Sequence, residues 1–156
     1  MPPALLFDLS ALDLDRVLFD REAIEKVNPQ RGQMQHLDAI LWQHEGKILG
    51  YKDVSDDEFW VDGHIPGRPL LPGVIMLEAA AQLSSFHTAT HFKWDGFIGF
   101  GGLEDVKFRS AVPPGKRMYL LCDTIDVRHR RIKAKTQGLV DGNLAFEATI
   151  IGTKMG

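Results

Sequence analysis

The stretch PGVIMLEAAAQLSSFHTATHF, from Pro72 to Phe92, restricts how this chain can fold more than any other part of the sequence. It holds no helix breaker between Gly73 and Gly96, so it predicts one long helix that starts near Pro72. Apolar residues cover nearly every side of its first three turns: Val74, Ile75, Leu77, Ala79, Ala80, Ala81, Leu83 and Phe86. Only a helix buried on most sides sustains that pattern, so a curved sheet must wrap around it.

The segments on both sides of this helix read as strands. In residues 35–54, apolar and polar residues alternate on both sides of the tripeptide Glu-Gly-Lys, which predicts a hairpin. The predicted inward positions are Ile40, Trp42, Ile48, Gly50 and Val54. After the helix, segments rich in strand formers are broken at residues 113–115, at the basic residues 128–131 and at Asp141-Gly142, a pair that tolerates positive φ. The C-terminal half is therefore predicted to be an antiparallel meander, and the fold class is α+β.

The N-terminal part shows a different pattern. Residues 10–27 have apolar residues at helical spacing, and Ser10 is a candidate N-cap, so we expect one or two helices before Asn28. A length of 156 residues fits one domain. We predict an N-terminal extension over residues 1–21 and a single domain over residues 22–156.

Composition indicates the broad class of protein. The only cysteine, Cys122, excludes an internal disulfide and any zinc site built on several cysteines. The early apolar run PALLF is short and leads directly into Asp8, which is unlike a signal peptide, and no later run is long enough to span a bilayer. We expect a cytoplasmic protein that does not bind membranes.

The net charge of −3 conceals a basic region. Nine of the eighteen Lys and Arg residues fall within residues 107–135. No nucleic-acid-binding signature accompanies them, so nucleic acid is not an expected partner. We favour a solvent-exposed turn and outer strand face for the basic run Arg128, Arg130, Arg131, Lys133 and Lys135, and docking of an acidic partner is the functional alternative.

The segment GHIPGRPLLPGVIMLEAAAQ contains the residues best suited to chemistry. His64 precedes a Pro-Gly turn that would fix the direction of its ring. The free backbone N–H groups at the helix start, at Gly73 and Val74, favour a developing negative charge such as an enolate oxygen. Glu78 follows within two turns, and Gln82, four residues on, could hold it by a hydrogen bond. A histidine base and a carboxylic acid can remove one proton and deliver another.

This segment resembles the signature of the FabZ-type 3-hydroxyacyl-[acyl-carrier-protein] dehydratases in the FabA/FabZ family. LEDVKFRSAVPPGKRMYL and LVDGNLAFEATI are similar to a later strand and to the closing hairpin of that family, so the resemblance spans residues 22–153. It implies a hotdog fold, in which an antiparallel sheet wraps a long central helix, here with a helical N-terminal extension. It also implies a homodimer with one continuous sheet, and a hexamer of three dimers as a further assembly.

The resemblance implies dehydration of a 3-hydroxyacyl thioester on acyl carrier protein in fatty acid biosynthesis. His64 would take the proton from C2, and Glu78 of the other subunit would protonate or orient the leaving hydroxyl. Gly73 and Val74 would polarise the thioester carbonyl, and Gln82 would hold Glu78. No metal or organic cofactor would be required. Candidate residues for docking the acidic carrier are Arg68, Lys107, Arg128, Arg130 and Arg131.

Other interpretations stay open at this point. PQRGQMQHLD, from Pro29 to Asp38, departs from the usual family pattern, which leaves the acyl-chain preference undetermined. A thioesterase, a hydratase acting on coenzyme A thioesters or a non-catalytic acyl binder would share the fold. His87 and His91 have metal-ligand spacing but no acidic third ligand, so we favour an interaction with the helix C-terminal dipole.

Overall fold

A computed structural model describes residues 3–156 as six antiparallel strands and one long helix. The strands are β1 (Ala39–His44), β2 (Lys47–Asp53), β3 (Ile98–Phe108), β4 (Arg117–Val127), β5 (Arg131–Val140) and β6 (Asn143–Lys154). They form one sheet in the order β1-β2-β4-β5-β6-β3. The helices are α1 (Arg21–Glu25) and α2 (Gly73–Thr90), with a 3-10 turn at Gly32–Met34. No helix among the described residues is long and apolar enough to cross a membrane.

Helix α2 lies against one face of the sheet, as its apolar pattern predicts. Pro72 precedes it with a φ of −59°, and the helix ends at Thr90. Its buried side chains are Ile75, Met76, Leu77, Ala79, Ala80, Gln82, Leu83, Ser84, Phe86, His87 and Thr88. Val74 is an exception to the predicted burial, because 71% of its surface is exposed at the helix start. The α+β prediction, with a sheet packed on a long helix, is confirmed.

The predicted hairpins are present, with one correction. Asp141 (φ 51°) and Gly142 (φ 78°) turn between β5 and β6, and Glu45 (φ 54°) turns between β1 and β2. Trp42 was predicted to point inward, but the β1–β2 register shifts between Ile40 and Trp42. At this irregularity the regular alternation of side chains between the two faces of the sheet is interrupted. Trp42 therefore packs against Phe7, on the opposite face of the sheet from α2.

That opposite face, which we call the outer face, is covered by the N-terminal segment. Leu41, Leu49 and Leu121 form its buried centre. The residues that pack on it from the N-terminal segment are Leu6, Phe7, Leu9, Leu12 and Leu14. The Gln137 side chain pairs with this segment twice, because Oε1 accepts from Leu6 N–H (2.9 Å) and Nε2 donates to the Ala4 carbonyl (2.9 Å).

The helix predicted over residues 10–27 is wrong except at α1. Asp20 caps α1 by accepting a hydrogen bond from Ala23 N–H. Before it, Asp8 accepts from the backbone of Ser10 (2.9 Å) and Asp13 accepts from the backbone of Asp15 (3.0 Å). Such aspartates offer the backbone an alternative to helical hydrogen bonds, so this part of the extension consists of turns, and Ser10 caps no helix.

Candidate active site

His64 lies on the loop between β2 and α2, and its ring orientation is fixed. His64 Nδ1 lies 2.8 Å from the Leu70 carbonyl oxygen, and Leu70 N–H donates to the His64 carbonyl at 2.8 Å. Because a carbonyl can only accept, Nδ1 carries the proton of the neutral ring. The lone pair is therefore on Nε2. The loop presents a histidine tautomer that can act as a base through Nε2.

The start of α2 offers two backbone donors beside this histidine. The Pro72 carbonyl accepts from Ile75 (2.9 Å) and Met76 (3.2 Å), whereas Gly73 and Val74 donate to no group within residues 3–156. We call the surface beside them the His64 groove; its lining includes His64, Leu70, Gly73, Val74, Met76, Phe108 and Ser110. A Cβ on Gly73 would lie 2.7 Å from the Phe108 ring, so the close approach of that ring requires glycine.

Glu78 is held on one carboxylate oxygen by Gln82. Gln82 Nε2 donates to Glu78 Oε2 (2.7 Å) and to the Met34 carbonyl (2.8 Å), and Gln82 Oε1 accepts from His36 N–H (2.9 Å). These backbone partners fix which end of the buried Gln82 amide is the donor. Glu78 Oε2 therefore accepts a hydrogen bond, and Oε1 is the oxygen on which a proton can sit.

Glu78 lines a second pocket, which we call the Glu78 slot. Its lining includes Gln30, Glu78, Ala81, Gln82, Phe97, Phe100, Ile132 and Gly152. Within residues 3–156 His64 does not line this slot, and Glu78 does not line the His64 groove. The two pockets lie at opposite ends of β3, since residues 97–100 line one and residues 108–110 line the other. In a single chain, His64 and Glu78, which the sequence suggested as one catalytic pair, therefore lie in two separate pockets.

A buried charged cluster, which our sequence interpretation missed, supports the segment that holds Gln82. Lys52 is 3% exposed; its Nζ lies 2.7 Å from Glu58 Oε1 and 3.2 Å from His36 Nδ1. Burial alone would raise the pKa of Glu58, but hydrogen bonds from Lys52 and Ser55 lower it below its usual value. Burial lowers the pKa of His36 to about 4, and the positive charge of Lys52 acts in the same direction.

His87 is engaged by protein groups on both ring nitrogens. Nδ1 lies 2.9 Å from Gln43 Nε2, and Nε2 lies 2.9 Å from the Glu45 carbonyl. The ring stacks on His91, with centroids 4.9 Å apart. Burial lowers the pKa of His87 to about 4, so it is neutral at pH 7. The favoured dipole interaction, which needs a charged imidazole, therefore does not apply to His87. Residues 3–156 contain no group of three or more potential metal-binding side chains.

The two buried histidines, His36 and His87, predict that the folded protein loses stability in acid. Both have folded-state pKa values of about 4, against the ordinary histidine value of 6.5. Between these values the unfolded chain binds more protons than the folded chain, so the free energy of unfolding falls as the pH is lowered through this window. The loss is up to about 3 kcal/mol per histidine. Urea unfolding at pH 7, 5.5 and 4.5 measures it. His36→Leu should remove about half of the pH dependence; an undiminished dependence would contradict the assignment.

The candidate carrier-docking residues are distributed over both ends of the molecule. Arg68 lies on the His64 loop, and Lys107 is exposed on β3. Arg128 and Arg130 lie on the β4–β5 turn, where Arg128 pairs with Asp126 (2.9 Å) and Arg130 donates to the Lys154 carbonyl (3.0 Å). Arg131 follows at the start of β5, next to Ile132 of the Glu78 slot.

Comparison with known proteins places this arrangement in a family. A FabA-like domain model matches residues 28–149, within the predicted domain. The 3-hydroxyacyl-[acyl-carrier-protein] dehydratase FabZ of Clostridium botulinum is 34% identical over 134 residues, covering 85% of this chain and 93% of that protein. FabZ of Teredinibacter turnerae is 35% identical over 139 residues, covering 86% and 95%.

Solved structures support the fold. The dehydratase heterocomplex ApeI:P from Xenorhabdus doucetiae matches with a TM-score of 0.71 at 14% identity, covering 85% of this chain and 91% of that one. Cj0977 from Campylobacter jejuni matches with a TM-score of 0.65 at 15% identity, covering 88% and 94%. The predicted hotdog fold is confirmed. The family model and the identity to FabZ proteins over most of the sequence together show that this chain belongs to the FabA-like family.

Proposed function

We propose that this protein dehydrates 3-hydroxyacyl-[acyl-carrier-protein] to trans-2-enoyl-[acyl-carrier-protein] in fatty acid biosynthesis. The relatives named above carry this activity in their names. The observation that carries the proposal is the His64 tautomer, in which the Leu70 carbonyl holds Nδ1–H and leaves Nε2 able to accept a proton. The complementary proton donor in this proposal is Glu78, whose Oε1 has no hydrogen-bond partner within residues 3–156.

In the proposed reaction His64 Nε2 takes a proton from C2 of the thioester. The negative charge that develops on the thioester oxygen is stabilised by the unpaired N–H groups of Gly73 and Val74 at the positive end of α2. The electron pair from the C2–H bond forms the C2=C3 double bond. The C3–O bond breaks as Glu78 delivers its proton to the hydroxyl, and water leaves. The histidine has gained one proton and the glutamate has lost one, so the step balances.

We propose that two subunits build each site. β3 is an edge strand, and its exposed apolar residues include Phe100 (44%), Leu103 (41%) and Phe108 (53%); Phe97 (55%) directly precedes it. Such an edge is a template for pairing with another strand. Antiparallel pairing of two copies of β3 would bring residues 97–100 of one copy beside residues 108–110 of the other. The Glu78 slot of one subunit would then join the His64 groove of its partner. The hexamer of three dimers stays a prediction from the resemblance.

The same pairing supports docking of the acidic carrier at the mouth of the joined site. The subunit with the Glu78 slot contributes Arg128 and Arg130 from its β4–β5 turn and Arg131 from the start of β5, and the His64 loop of the partner subunit contributes Arg68. Arg68, Lys107 and Arg131 form no ion pair within residues 3–156, so their charges are available to a partner. Attraction between opposite charges would raise the rate of encounter with the carrier.

An assay of purified protein with carrier-bound 3-hydroxybutyryl and longer chains tests the proposal. We expect the absorbance of a conjugated thioester and no free thiol. Release of thiol would instead indicate a thioesterase. Faster turnover of coenzyme A thioesters would indicate a hydratase, and binding without turnover would indicate an acyl binder.

In the same assay, the double variant Arg130→Glu and Arg131→Glu tests the docking of the carrier. It should raise KM for the carrier-bound substrate and leave KM for a pantetheine-linked substrate unchanged. An unchanged KM for both substrates would remove the docking proposal.

A further inference from the structure

Helix α2 leaves one side open along the Glu78 slot. Between Ile75 and Thr88, a range that the structure describes in full, only Glu78, Ala81 and Ser85 are not buried. Their spacing of three and then four residues places them on one face of the helix. All three line the slot. The acid proposed for the reaction is therefore followed along α2 by two small side chains that face the same cavity.

The Ser85 side chain is free to contact a molecule in the slot. Thr88 and Thr90 each donate a hydrogen bond to the carbonyl four residues earlier (both 2.8 Å), but Ser85 Oγ donates to no group within residues 3–156. The neighbouring Ser84 Oγ is enclosed without a partner, whereas Ser85 keeps accessible surface. A ligand in the slot can therefore reach Ser85.

The walls opposite this side of α2 are apolar. Phe97, Ile98 and Phe100 line the slot at and just before the start of β3, and Ile132, Ile150 and Gly152 line it from β5 and β6. A Cβ on Gly152 would lie 3.0 Å from Ile132 Cγ1 and 3.3 Å from Ile98 Cγ2, so these two side chains meet over the glycine. Such walls suit a hydrocarbon chain, whose affinity rises by up to about fourfold for each methylene removed from water.

The slot has a definite length along α2. A helix rises about 1.5 Å per residue, so Ala81 lies about 4.5 Å and Ser85 about 10.5 Å beyond Glu78 along the axis. An extended polypeptide covers about 3.6 Å over three bonds, so an extended acyl chain covers about 1.2 Å per bond. In the proposed joined site the thioester lies towards the His64 groove of the partner subunit, so the tail continues on the other side of C3. A chain with C3 at Glu78 then passes Ala81 at about C7 and Ser85 at about C12.

We propose that the Glu78 slot holds the acyl tail, that Ala81 and Ser85 determine how far it extends, and that the substrates are 3-hydroxyacyl chains of up to about twelve carbons. This inference rests on the proposed function. Methylenes up to Ser85 leave water and add to binding, whereas those beyond Ser85 lie outside the residues that line the slot and add none. In the wild type kcat/KM should therefore rise with chain length to about C12 and stay level for longer chains.

The test measures kcat/KM on pantetheine-linked 3-hydroxyacyl substrates with C4, C8 and C12 chains. Ser85→Leu should lower kcat/KM for C12 by about tenfold or more, because the larger side chain overlaps the tail, and should leave C4 and C8 within about twofold. Ala81→Leu should already lower kcat/KM for C8 by a similar factor and spare C4. Ala89→Leu, at the next position on the same helix face but outside the slot lining, is the matched control and should change none of the three.

Equal loss for C4 and C12 in Ser85→Leu would overturn the inference, as would no loss for either or a wild-type kcat/KM that keeps rising beyond C12. Ser85→Met gives the same readout should the leucine variant not fold. Calorimetry with butyryl and dodecanoyl pantetheine amides, which cannot be dehydrated, separates this inference from the proposed function. The wild type should bind the dodecanoyl amide more tightly, and Ser85→Leu should weaken that binding about tenfold without affecting the butyryl amide. Absence of the enoyl product alongside this result would refute the proposed dehydration alone, and equal binding of both amides by an active enzyme would refute this inference alone.

Discussion

Replacing His64 with alanine should lower kcat for dehydration by about a thousandfold, the middle of the range for loss of a general acid–base group. The substitution removes Nε2, the proposed acceptor of the C2 proton, together with the Nδ1 bond to Leu70. His64 is exposed in the single chain, so its truncation should leave the folded structure intact. The measurement is steady-state formation of the conjugated thioester, with circular dichroism as the check on folding.

His44→Ala is the matched control for this experiment. His44 is also exposed, with 67% of its side-chain surface accessible, and it lies outside both pockets. We expect wild-type kcat for this variant. If His64→Ala retained more than about a tenth of the wild-type rate, His64 could not be the base, since general bases contribute about a hundredfold or more.

Replacing Glu78 with glutamine should reduce kcat by about a hundredfold to a thousandfold. Glutamine has the shape of glutamate and can still accept the hydrogen bond from Gln82, but it carries no acidic proton for the leaving hydroxyl. KM should change little, because the shape of the slot is kept. Glu45→Gln makes the same chemical change on a side chain that is 77% exposed, and it should have no effect.

Mixing the two inactive variants tests whether the site spans two subunits. A dimer of one His64→Ala chain and one Glu78→Gln chain would contain one intact site and one site that lacks both groups. After random exchange of subunits, half of the dimers are mixed, so activity should recover to about a quarter of the wild-type value. If verified exchange restored no activity, His64 and Glu78 would act within one chain, and the β3 pairing proposed above would be wrong.

The spacing of apolar residues and the turn-forming residues predicted the elements that depend mainly on neighbouring residues in the chain. Unbroken apolar coverage predicted α2, and Asp141-Gly142 predicted the last hairpin. The same reasoning failed at residues 10–18, because Leu12 and Leu14 pack on the outer face while aspartates take the backbone hydrogen bonds. It failed at Trp42 because an irregularity in strand register has no reliable signal in a single strand.

The candidate site was only partly predictable from sequence. His64, Glu78 and Gln82 were found through their spacing, and the bond from Gln82 to Glu78 is present. The buried Lys52 had a signal that was overlooked: it alternates with Gly50 and Val54, both predicted to point inward. The domain boundary after residue 21 and the cytoplasmic location stay predictions.

The N-terminal segment limits how assemblies of this protein can grow. Leu6, Phe7 and Leu9 already occupy the side of the sheet that faces away from α2, and Gln137 fastens them there. If the proposed dimer forms, two dimers could not stack through bare sheets while this N-terminal segment is in place. A larger assembly built from such dimers would have to form through other surfaces of each dimer.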